Sequence, residues 1–327
     1  MFKQQFSLLK CYVRSSGNKM NWTTDNIGNL NDKIIIITGA NSGLGYHATL
    51  ELAKKGAKVV MACRNVDKAE SAAEDIKKQL KDAKLDIRRL DLADLDSVKK
   101  FADEYTRNYN KLDILINNAG LMAIPRARTK QGFEMQFGIN HLGHFALTLL
   151  LADILTSTEN SRVVNVSSLA HLIGKIKFSD LNRDKYYNKW LAYGQSKLAN
   201  LLFTSELQRK FDKAGKPTIS VAAHPGWAAT NLQTKGPEME GSKIKAWMYD
   251  MGNKLFSQSA AMGSLPILYA ATEPSIKSNQ FIGPDSMFGF HGYPKPDKLD
   301  GKKVNEIAAK KLWDVSEEMT GLQLIFS

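Results

Sequence analysis

The chain has 327 residues, is 43% hydrophobic and carries a formal charge of +12. This composition suffices for a large core and contains no low-complexity tract or internal repeat. No zinc-finger or RNA-binding signature accompanies the basic residues, so a solvated basic surface is favoured over nucleic-acid binding. Cys11 and Cys63 form no CxxC or zinc pattern, which favours a reducing, cytoplasmic setting.

The first 20 residues are basic and contain no acid. They are compatible with an organelle presequence, although a disordered tail is the favoured interpretation. Lys10 and Arg14 interrupt the apolar stretch and argue against a secretory signal. We expect residues 1–30 to form a tail before a single domain of residues 31–327. The longest apolar run, 145–155, is shorter than the ~20 residues that a membrane span needs, so no transmembrane segment is expected.

Strand-like apolar runs alternate with helical patterns between residues 34 and 223. The predicted strands are Ile34–Thr38, Lys58–Ala62, Ile87–Leu90, Leu112–Ile116, Arg162–Val166 and Thr218–Ala223. The predicted helices cover about 43–55, 67–81, 95–109, 134–156 and 191–213. This alternation predicts an α/β fold, a doubly wound, Rossmann-type parallel sheet with helices on both faces. Further along, 231–263 is expected to be a substrate-side insertion, 283–300 a loop and about 302–319 a final helix.

A glycine-rich turn, TGANSGLG, joins the first predicted strand to the first predicted helix at residues 38–45. Gly39, Gly43 and Gly45 let the backbone turn tightly and approach a ligand. The helix that follows directs free N–H groups and the positive end of its dipole at an anion. The spacing is GxxxGxG rather than GxGxxG, and its position after the first strand predicts a pyrophosphate site.

Further motifs follow in a fixed order: NNAG at 117–120 and YGQSK at 193–197. With the glycine turn, they resemble the short-chain dehydrogenase/reductase family from about residue 31 through Thr230. INHLGHF at 139–145 and VVNVSSLAH at 163–171 further resemble its retinol dehydrogenase-like branch, which includes many uncharacterised bacterial oxidoreductases.

Tyr193 and Lys197 are four residues apart and share one face of a predicted helix. A free tyrosine has a pKa of about 10. A nearby ammonium and an oxidised nicotinamide are both expected to lower the Tyr193 pKa, which would let this phenol exchange a proton with a substrate oxygen. Tyr186 and Tyr187 have no lysine four residues on. The alternative is an ordinary surface Tyr–Lys pair.

The family resemblance implies the other catalytic residues. Ser168 would hydrogen-bond the substrate oxygen, with Ser167 as the competing choice. Asn140 would hold a water in the proton relay, although a polar helix residue that satisfies backbone groups is the alternative. Lys197 would also bind the nicotinamide ribose.

The resemblance also implies cofactor contacts at the ends of the strands. Asp91 would face the adenine amine, with a helix N-cap or loop acid as a serious alternative. The expected set is Gly39, Ser42, Gly43, Leu44, Gly45, Arg64, Asn65, Asp91, Leu92, Asn118, Ala119, Gly120, Tyr193, Lys197, Pro225, Gly226 and Thr230.

Arg64 stands at the end of the second predicted strand, where an acidic residue commonly binds the adenosine ribose. Its guanidinium offers bidentate donors to a 2′-phosphate, and Asn65 is expected to assist. NADP(H) is therefore the predicted cofactor. Asn41 and Ser42 add no second cation to the turn, so use of NAD stays open.

Apolar residues recur at helical spacing in the expected insertion: Ile244, Trp247, Met248, Met251 and Leu255. They either pack the insertion onto the domain or line an apolar pocket as a lid. In the family that the chain resembles, the corresponding region covers the substrate, so a mixture of both roles is favoured. The resemblance therefore implies an oxidoreductase that interconverts a small-molecule carbonyl and its alcohol, with an apolar substrate as the hypothesis. The alternatives are a nucleotide-sensing or interaction protein on the same fold, and a related enzyme that reduces a carbon–carbon double bond.

Two remaining patterns carry weaker expectations. His141 and His144 are three apart without a third ligand, so packing is favoured and no metal site is predicted. The leucine-rich helix around 193–211 either pairs between subunits of a homo-oligomer or belongs to the core.

Overall fold

A computed structural model describes residues 21–227 and 258–326 of the chain. Its strands are β1 (Ile34–Thr38), β2 (Lys58–Cys63), β3 (Leu85–Arg89), β4 (Ile114–Asn117), β5 (Arg162–Val166), β6 (Ile219–Ala223), β7 (Phe281–Ser286) and β8 (His291–Pro296). In this part of the chain they form one sheet, in the order β3-β2-β1-β4-β5-β6-β7-β8. All neighbours are parallel except β7 and β8, which confirms the predicted doubly wound parallel sheet.

Helices connect the parallel strands, and a last helix follows β8. They are α1 (Gly43–Lys54), α2 (Val66–Gln79), α3 (Leu95–Asn108), α4 (Met135–Phe137), a π-helical turn (Gly138–Leu142), α5 (Gly143–Leu150), α6 (Ala152–Thr156), α7 (Lys189–Lys213), α8 (Ala260–Thr272) and α9 (Glu306–Thr320). Asparagine caps begin α2, α7 and α9, each accepting a backbone N–H of the first turn. Across 21–227 and 258–326, no helix is both long and apolar enough to cross a bilayer.

The sheet separates two hydrophobic cores. On β1, Ile35 and Ile37 belong to the core that also contains Leu268 of α8, whereas Ile36 belongs to the core that contains Phe101 of α3 and Phe145 of α5. This alternation follows from the period of two along a strand. Because both faces are covered, the strands are apolar throughout, which is the pattern that made them readable from the sequence.

Two predicted elements differ from the structure. The loop expected at 283–300 is wrong, because β7 and β8 form an antiparallel pair there. Pro294 and Pro296 are tolerated because β8 is the edge strand of the sheet. The single helix expected at 134–156 is interrupted by the π-helical turn and again at Leu151, whose φ of −102° and ψ of 6° end α5.

The chain packs onto the domain before residue 31. Ile27 and Leu30 are buried in the same core as β1, and the Trp22 Nε1–H donates to Glu273 at 3.0 Å. At the far end of the expected insertion, Gln258 donates through its backbone N–H to the carbonyl of Trp227 at 2.9 Å. Trp22, Ile27 and Leu30 of the expected tail and Gln258 of the expected insertion therefore pack against the domain.

Helix α7 packs against β5, β6 and α9. The leucines that raised the question of subunit pairing are all buried within the single chain: Leu198, Leu201, Leu202 and Leu207. They are core residues, and they give no argument for a subunit interface.

The strand order reverses between β1 and β4. Crossovers leave this point on opposite faces of the sheet, and a crevice opens outside the carboxyl ends of the strands. The glycine turn after β1 lies at this crevice.

Candidate active site

A cleft of about 320 Å³ lies at the carboxyl ends of β1 to β4. Predicted cofactor residues from several loops line it together: Gly39, Ser42, Gly43, Leu44, Arg64, Asn65, Asp91, Leu92, Asn118, Ala119 and Gly120. The structure therefore brings these separate sequence positions to one surface.

The glycine turn has the backbone geometry that its sequence predicts. Gly39 and Gly43 have φ values of +66° and +54°, which side chains disfavour. A Cβ on Gly45 would lie 2.3 Å from the Gly39 carbonyl oxygen. Ser42 precedes α1 without a side-chain capping hydrogen bond, so the first-turn N–H groups are available to an anion in the cleft.

The NNAG turn is held against β1 by Thr38. Its Oγ1 accepts the backbone N–H groups of Asn118 and Ala119, both at 2.9 Å, and its carbonyl accepts from the Asn118 side chain at 2.8 Å. A Cβ on Gly120 would lie 3.1 Å from Asn140 Oδ1 and 3.6 Å from Lys197 Nζ. The cofactor-binding turn thus ends beside two predicted catalytic residues.

Tyr193 and Lys197 lie one turn apart on α7 and are almost fully buried, with 7% and 4% of their surfaces exposed. Ser168 lies close enough to the Tyr193 hydroxyl to influence its pKa. Lys197 Nζ donates to the Val166 carbonyl at 3.0 Å and lies 5.8 Å from the centroid of the Tyr193 ring. Ser168, Tyr193 and Lys197 therefore form one cluster next to Gly120.

The expected effect of Lys197 on the tyrosine is not produced by the protein's own groups. Burial raises the pKa of Tyr193 to about 12, and the nearby Ser168 side chain acts in the opposite direction. Burial lowers the pKa of Lys197 to about 8. Because burial disfavours the phenolate, Tyr193 is a neutral phenol at neutral pH, which is the form that can donate a proton.

The two serines after β5 have different surroundings. Ser167 is buried, and its hydroxyl donates to the Lys197 carbonyl at 2.8 Å. Ser168 is only partly buried and accepts the Ala170 N–H at 3.2 Å, which leaves its proton free for another acceptor. The geometry favours Ser168 over Ser167 as the group that meets a substrate oxygen.

Asn140 lies in the π-helical turn, and its side chain makes three hydrogen bonds. Its Oδ1 accepts the Leu121 N–H at 2.8 Å, and its Nδ2 donates to the Leu121 carbonyl and to Ser196 Oγ, both at 2.9 Å. The side chain therefore braces the segment that follows NNAG, which was the alternative interpretation. A relay role for Asn140 stays a prediction.

The loop after β6 carries the last predicted contacts. Gly226 has a φ of +64°, and a Cβ there would lie 2.3 Å from the Phe290 carbonyl oxygen. The Pro225 carbonyl accepts from the Gln258 side chain at 2.7 Å. Thr230 lies outside the described residues.

Buried His224 anchors this loop. Its Nδ1 accepts the Gly226 N–H at 3.3 Å, so Nε2 carries the proton and donates to Asp297 Oδ2 at 3.0 Å. The hydrogen bond from His224 holds the pKa of Asp297 below its usual range.

Asp297→Asn is expected to lower the free energy of unfolding by about 2 kcal/mol at neutral pH, because a charge-assisted hydrogen bond to a buried group is weakened. A carboxyl whose pKa is lowered by folding stabilises the fold above its unfolded pKa of about 3.9. This stability is lost as the pH falls through the folded value. The difference between wild type and variant, measured by urea unfolding, should therefore shrink below about pH 4.

Asp314→Asn is the matched control, because Asp314 forms an exposed ion pair with Lys310 that contributes at most about 1 kcal/mol. Equal losses in the two variants would show that the His224–Asp297 contact has no special weight.

Lys68 was missed at the sequence level. It lies in the first turn of α2 and lines the cleft with Arg64; its N–H is capped by Asn65 Oδ1 at 2.8 Å. It also lines an adjoining hollow of about 430 Å³ with Asn41 and Ser42. Lys68 therefore adds a second cation beside the glycine turn, which itself contains none. The sequence feature that could have identified Lys68 as a cleft residue is its position four residues after Arg64.

The fold and the cleft are those of a dinucleotide-binding α/β protein, and the predicted catalytic residues Ser168, Tyr193 and Lys197 lie beside the cleft. Residues 33–241 match the family model described as short chain dehydrogenase. The chain is 39% identical to human retinol dehydrogenase 14 over 310 residues, which cover 90% of this chain and 88% of that protein. It is 40% identical to human retinol dehydrogenase 13 over 295 residues, covering 89% and 85% respectively.

Among solved structures, an uncharacterized protein from Mycobacterium paratuberculosis is 42% identical, with a TM-score of 0.77 and coverage of 94% of this chain and all of that one. The chain therefore belongs to the short-chain dehydrogenase/reductase family and is similar to its retinol dehydrogenases. It is an NAD(P)-dependent oxidoreductase that acts on alcohols or carbonyls.

Proposed function

We propose that the chain is an NADP(H)-dependent enzyme that interconverts an apolar carbonyl compound and its alcohol. The observation that carries the proposal is the cluster of Ser168, Tyr193 and Lys197 at the end of the dinucleotide cleft, beside Gly120. A nucleotide-sensing protein would need the cleft but not this buried cluster.

The residues of the cleft fit a dinucleotide. The glycine turn and the first turn of α1 offer N–H groups to a pyrophosphate, and the absence of a Cβ on Gly120 leaves room next to Asn140 and Lys197. The bound nicotinamide supplies or accepts the hydride. The protein holds the substrate oxygen and moves the proton.

In the reducing direction, Tyr193 donates its phenolic proton to the carbonyl oxygen, and the Ser168 hydroxyl donates a hydrogen bond to the same oxygen. Lys197, as an ammonium, stabilises the phenolate that Tyr193 becomes. In the oxidising direction the phenolate accepts the alcohol proton. In the reducing direction Tyr193 must start as the neutral phenol, the form that its raised pKa maintains.

Charge supports NADP(H) over NAD(H). Arg64 and Lys68 both line the cleft after β2, where a carboxylate would select the unmodified ribose. Within 21–227 and 258–326, neither cation forms an ion pair with a carboxylate, so both can bind a 2′-phosphate.

Apolar side chains near Ser168 support an apolar substrate. Leu172 and Ile173, just after Ser168, are 54% and 55% exposed. Trp227, after the Pro225–Gly226 turn, is 44% exposed and lies edge-on to Phe290 with ring centroids 6.2 Å apart.

The lid expected from residues 231–263 falls largely outside the described residues. The cytoplasmic location and the homo-oligomer also stay predictions.

The substrate class can be tested with straight-chain aldehydes of increasing length and small charged aldehydes, each with NADPH. We expect kcat/KM to rise about fourfold for each added buried methylene, because each contributes about 0.8 kcal/mol. The rate is followed by nicotinamide absorbance, and the product is identified by chromatography.

Equal kcat/KM for small charged and long apolar aldehydes would contradict an apolar site. Reduction of an α,β-unsaturated carbonyl at its carbon–carbon double bond, without alcohol formation from any aldehyde, would favour the double-bond reductase instead.

A further inference from the structure

His144 connects the cofactor-binding turn to Asn140. It lies in α5 with 2% of its surface exposed. Its Nε2 is 2.9 Å from Thr38 Oγ1, and its Nδ1 is 3.2 Å from the Asn140 carbonyl oxygen. One imidazole thus joins β1 to the π-helical turn.

The partners of His144 determine which nitrogen carries the proton. Thr38 Oγ1 already accepts N–H groups from Asn118 and Ala119 at 2.9 Å each, so both lone pairs of this hydroxyl are used. Its own proton is directed to His144 Nε2, which is closer than its other acceptor, the Ile116 carbonyl at 3.4 Å. The Asn140 carbonyl can only accept, so Nδ1 is the protonated nitrogen.

A neutral imidazole with one donor and one acceptor satisfies both contacts. Burial lowers the pKa of His144 to about 3, which keeps the ring in this form at neutral pH. His144 therefore acts as a fixed two-ended connector.

Each of the two hydrogen-bond partners of His144 contacts a segment beside the predicted reacting groups. On one side, Thr38 holds the Asn118–Gly120 turn that lines the cleft. On the other, Asn140 braces Leu121 and contacts Ser196, the residue before Lys197. We propose that His144 is a positioning residue that keeps the cofactor-binding turn and the Asn140 segment in register through its Nδ1–H tautomer. The proposal rests on the proposed function, in which both segments face the cofactor.

Two conservative variants separate the two ends. The glutamine carboxamide reaches the position of Nε2, so His144→Gln can still accept from Thr38 but loses the donor to Asn140. We expect a KM for NADPH within about twofold of wild type and a kcat about tenfold lower. The asparagine carboxamide reaches the position of Nδ1, so His144→Asn keeps the donor to Asn140 but loses the acceptor for Thr38. We expect a kcat within about threefold of wild type and a KM for NADPH about tenfold higher. His144→Leu should show both losses.

The control is His141→Gln. His141 is equally buried, and its Nε2 contacts Ser316 Oγ of α9 at 2.9 Å, away from the cleft. Glutamine can keep this contact, so kcat and KM should stay within about twofold. The Tm of every variant is measured alongside. Parallel changes of kcat and KM in all His144 variants, or changes that simply follow the Tm, would overturn the proposal.

The Kd of NADPH, measured by fluorescence, separates this proposal from the proposed function. If the wild-type chain converts no carbonyl or alcohol, the proposed function fails, yet the cofactor end of the connector can still be tested. An unchanged Kd in His144→Gln with a Kd about tenfold higher in His144→Asn supports the connector. The same Kd in both variants overturns it.

Discussion

Tyr193→Phe is expected to lower kcat about a thousandfold while the Kd of NADPH stays within about twofold. The substitution removes the proton donor, and general acid catalysis by a positioned side chain contributes about a hundredfold to ten-thousandfold. The phenyl ring keeps the packing of a residue that is only 7% exposed, so cofactor binding should survive. Steady-state rates with a long-chain aldehyde and a fluorescence titration with NADPH measure the two quantities.

Tyr186→Phe is the matched control for this loss. It makes the same chemical change seven residues earlier, at a side chain that is 63% exposed, and should leave kcat unchanged. If Tyr193→Phe retained more than a tenth of the wild-type kcat, another group would have to supply the proton.

Arg64→Asp is expected to raise the KM for NADPH about a hundredfold and to leave the KM for NADH nearly unchanged or lower. Loss of charge-assisted hydrogen bonds to a phosphate costs about 1.5 to 3 kcal/mol, and the new carboxylate repels the 2′-phosphate but accepts from ribose hydroxyls. Lys68→Ala should produce a smaller change in the same direction, about fivefold, because a lysine binds phosphate as a point charge.

Lys77→Asp reverses a charge on the exposed part of the same helix and controls for the change in net charge. Its ratio of KM values for NADPH and NADH should equal that of wild type. Equal increases for both cofactors in Arg64→Asp would show that Arg64 makes no contact with the 2′-phosphate.

The parallel strands were the most predictable part of the fold. The bounds of β1 and β5 agree with the sequence-based prediction, because isoleucine and valine runs buried on both faces are bounded by polar or glycine-rich segments. The β7–β8 pair was missed because its prolines and glycines predict a loop, and only the position of β8 at the sheet edge makes them acceptable.

The first residue of α5, directly after the π-helical turn, lies against a segment distant in the chain. A Cβ on Gly143 would lie 2.6 Å from the Leu92 carbonyl oxygen, so this residue allows a close approach of the loop after β3. Helical periodicity carries no information about such an approach, and the π-helical turn was not predictable from it.

The candidate site was predictable where a short sequence motif determines the local geometry by itself. The glycine turn and the Tyr193–Lys197 spacing are of this kind. Lys68 was not, because a lysine on a polar helix resembles a solvated residue until the helix is placed beside the cleft. The sequence shows the lysine beside Tyr193 but not the burial of the phenol, which raises its pKa. The predicted lowering also depends on an oxidised nicotinamide, so it stays a prediction.

The histidines show the same limit. Packing was the favoured interpretation for His144, but its partner Thr38 is 106 residues away in sequence. His224 and Asp297 are 73 residues apart. No local pattern indicates such pairs, and their roles depend on the tautomers that the folded chain imposes.

The most direct test is the stoichiometry of a reaction of the wild-type chain with NADPH and a long-chain aldehyde. Oxidised cofactor is measured by absorbance, and the alcohol by chromatography. We expect equimolar NADP⁺ and alcohol, with a much lower rate when NADH replaces NADPH at the same concentration. Tight binding of NADPH without oxidation by any aldehyde or ketone, and without reduction of NADP⁺ by the matching alcohols, would contradict the assignment of a carbonyl–alcohol oxidoreductase.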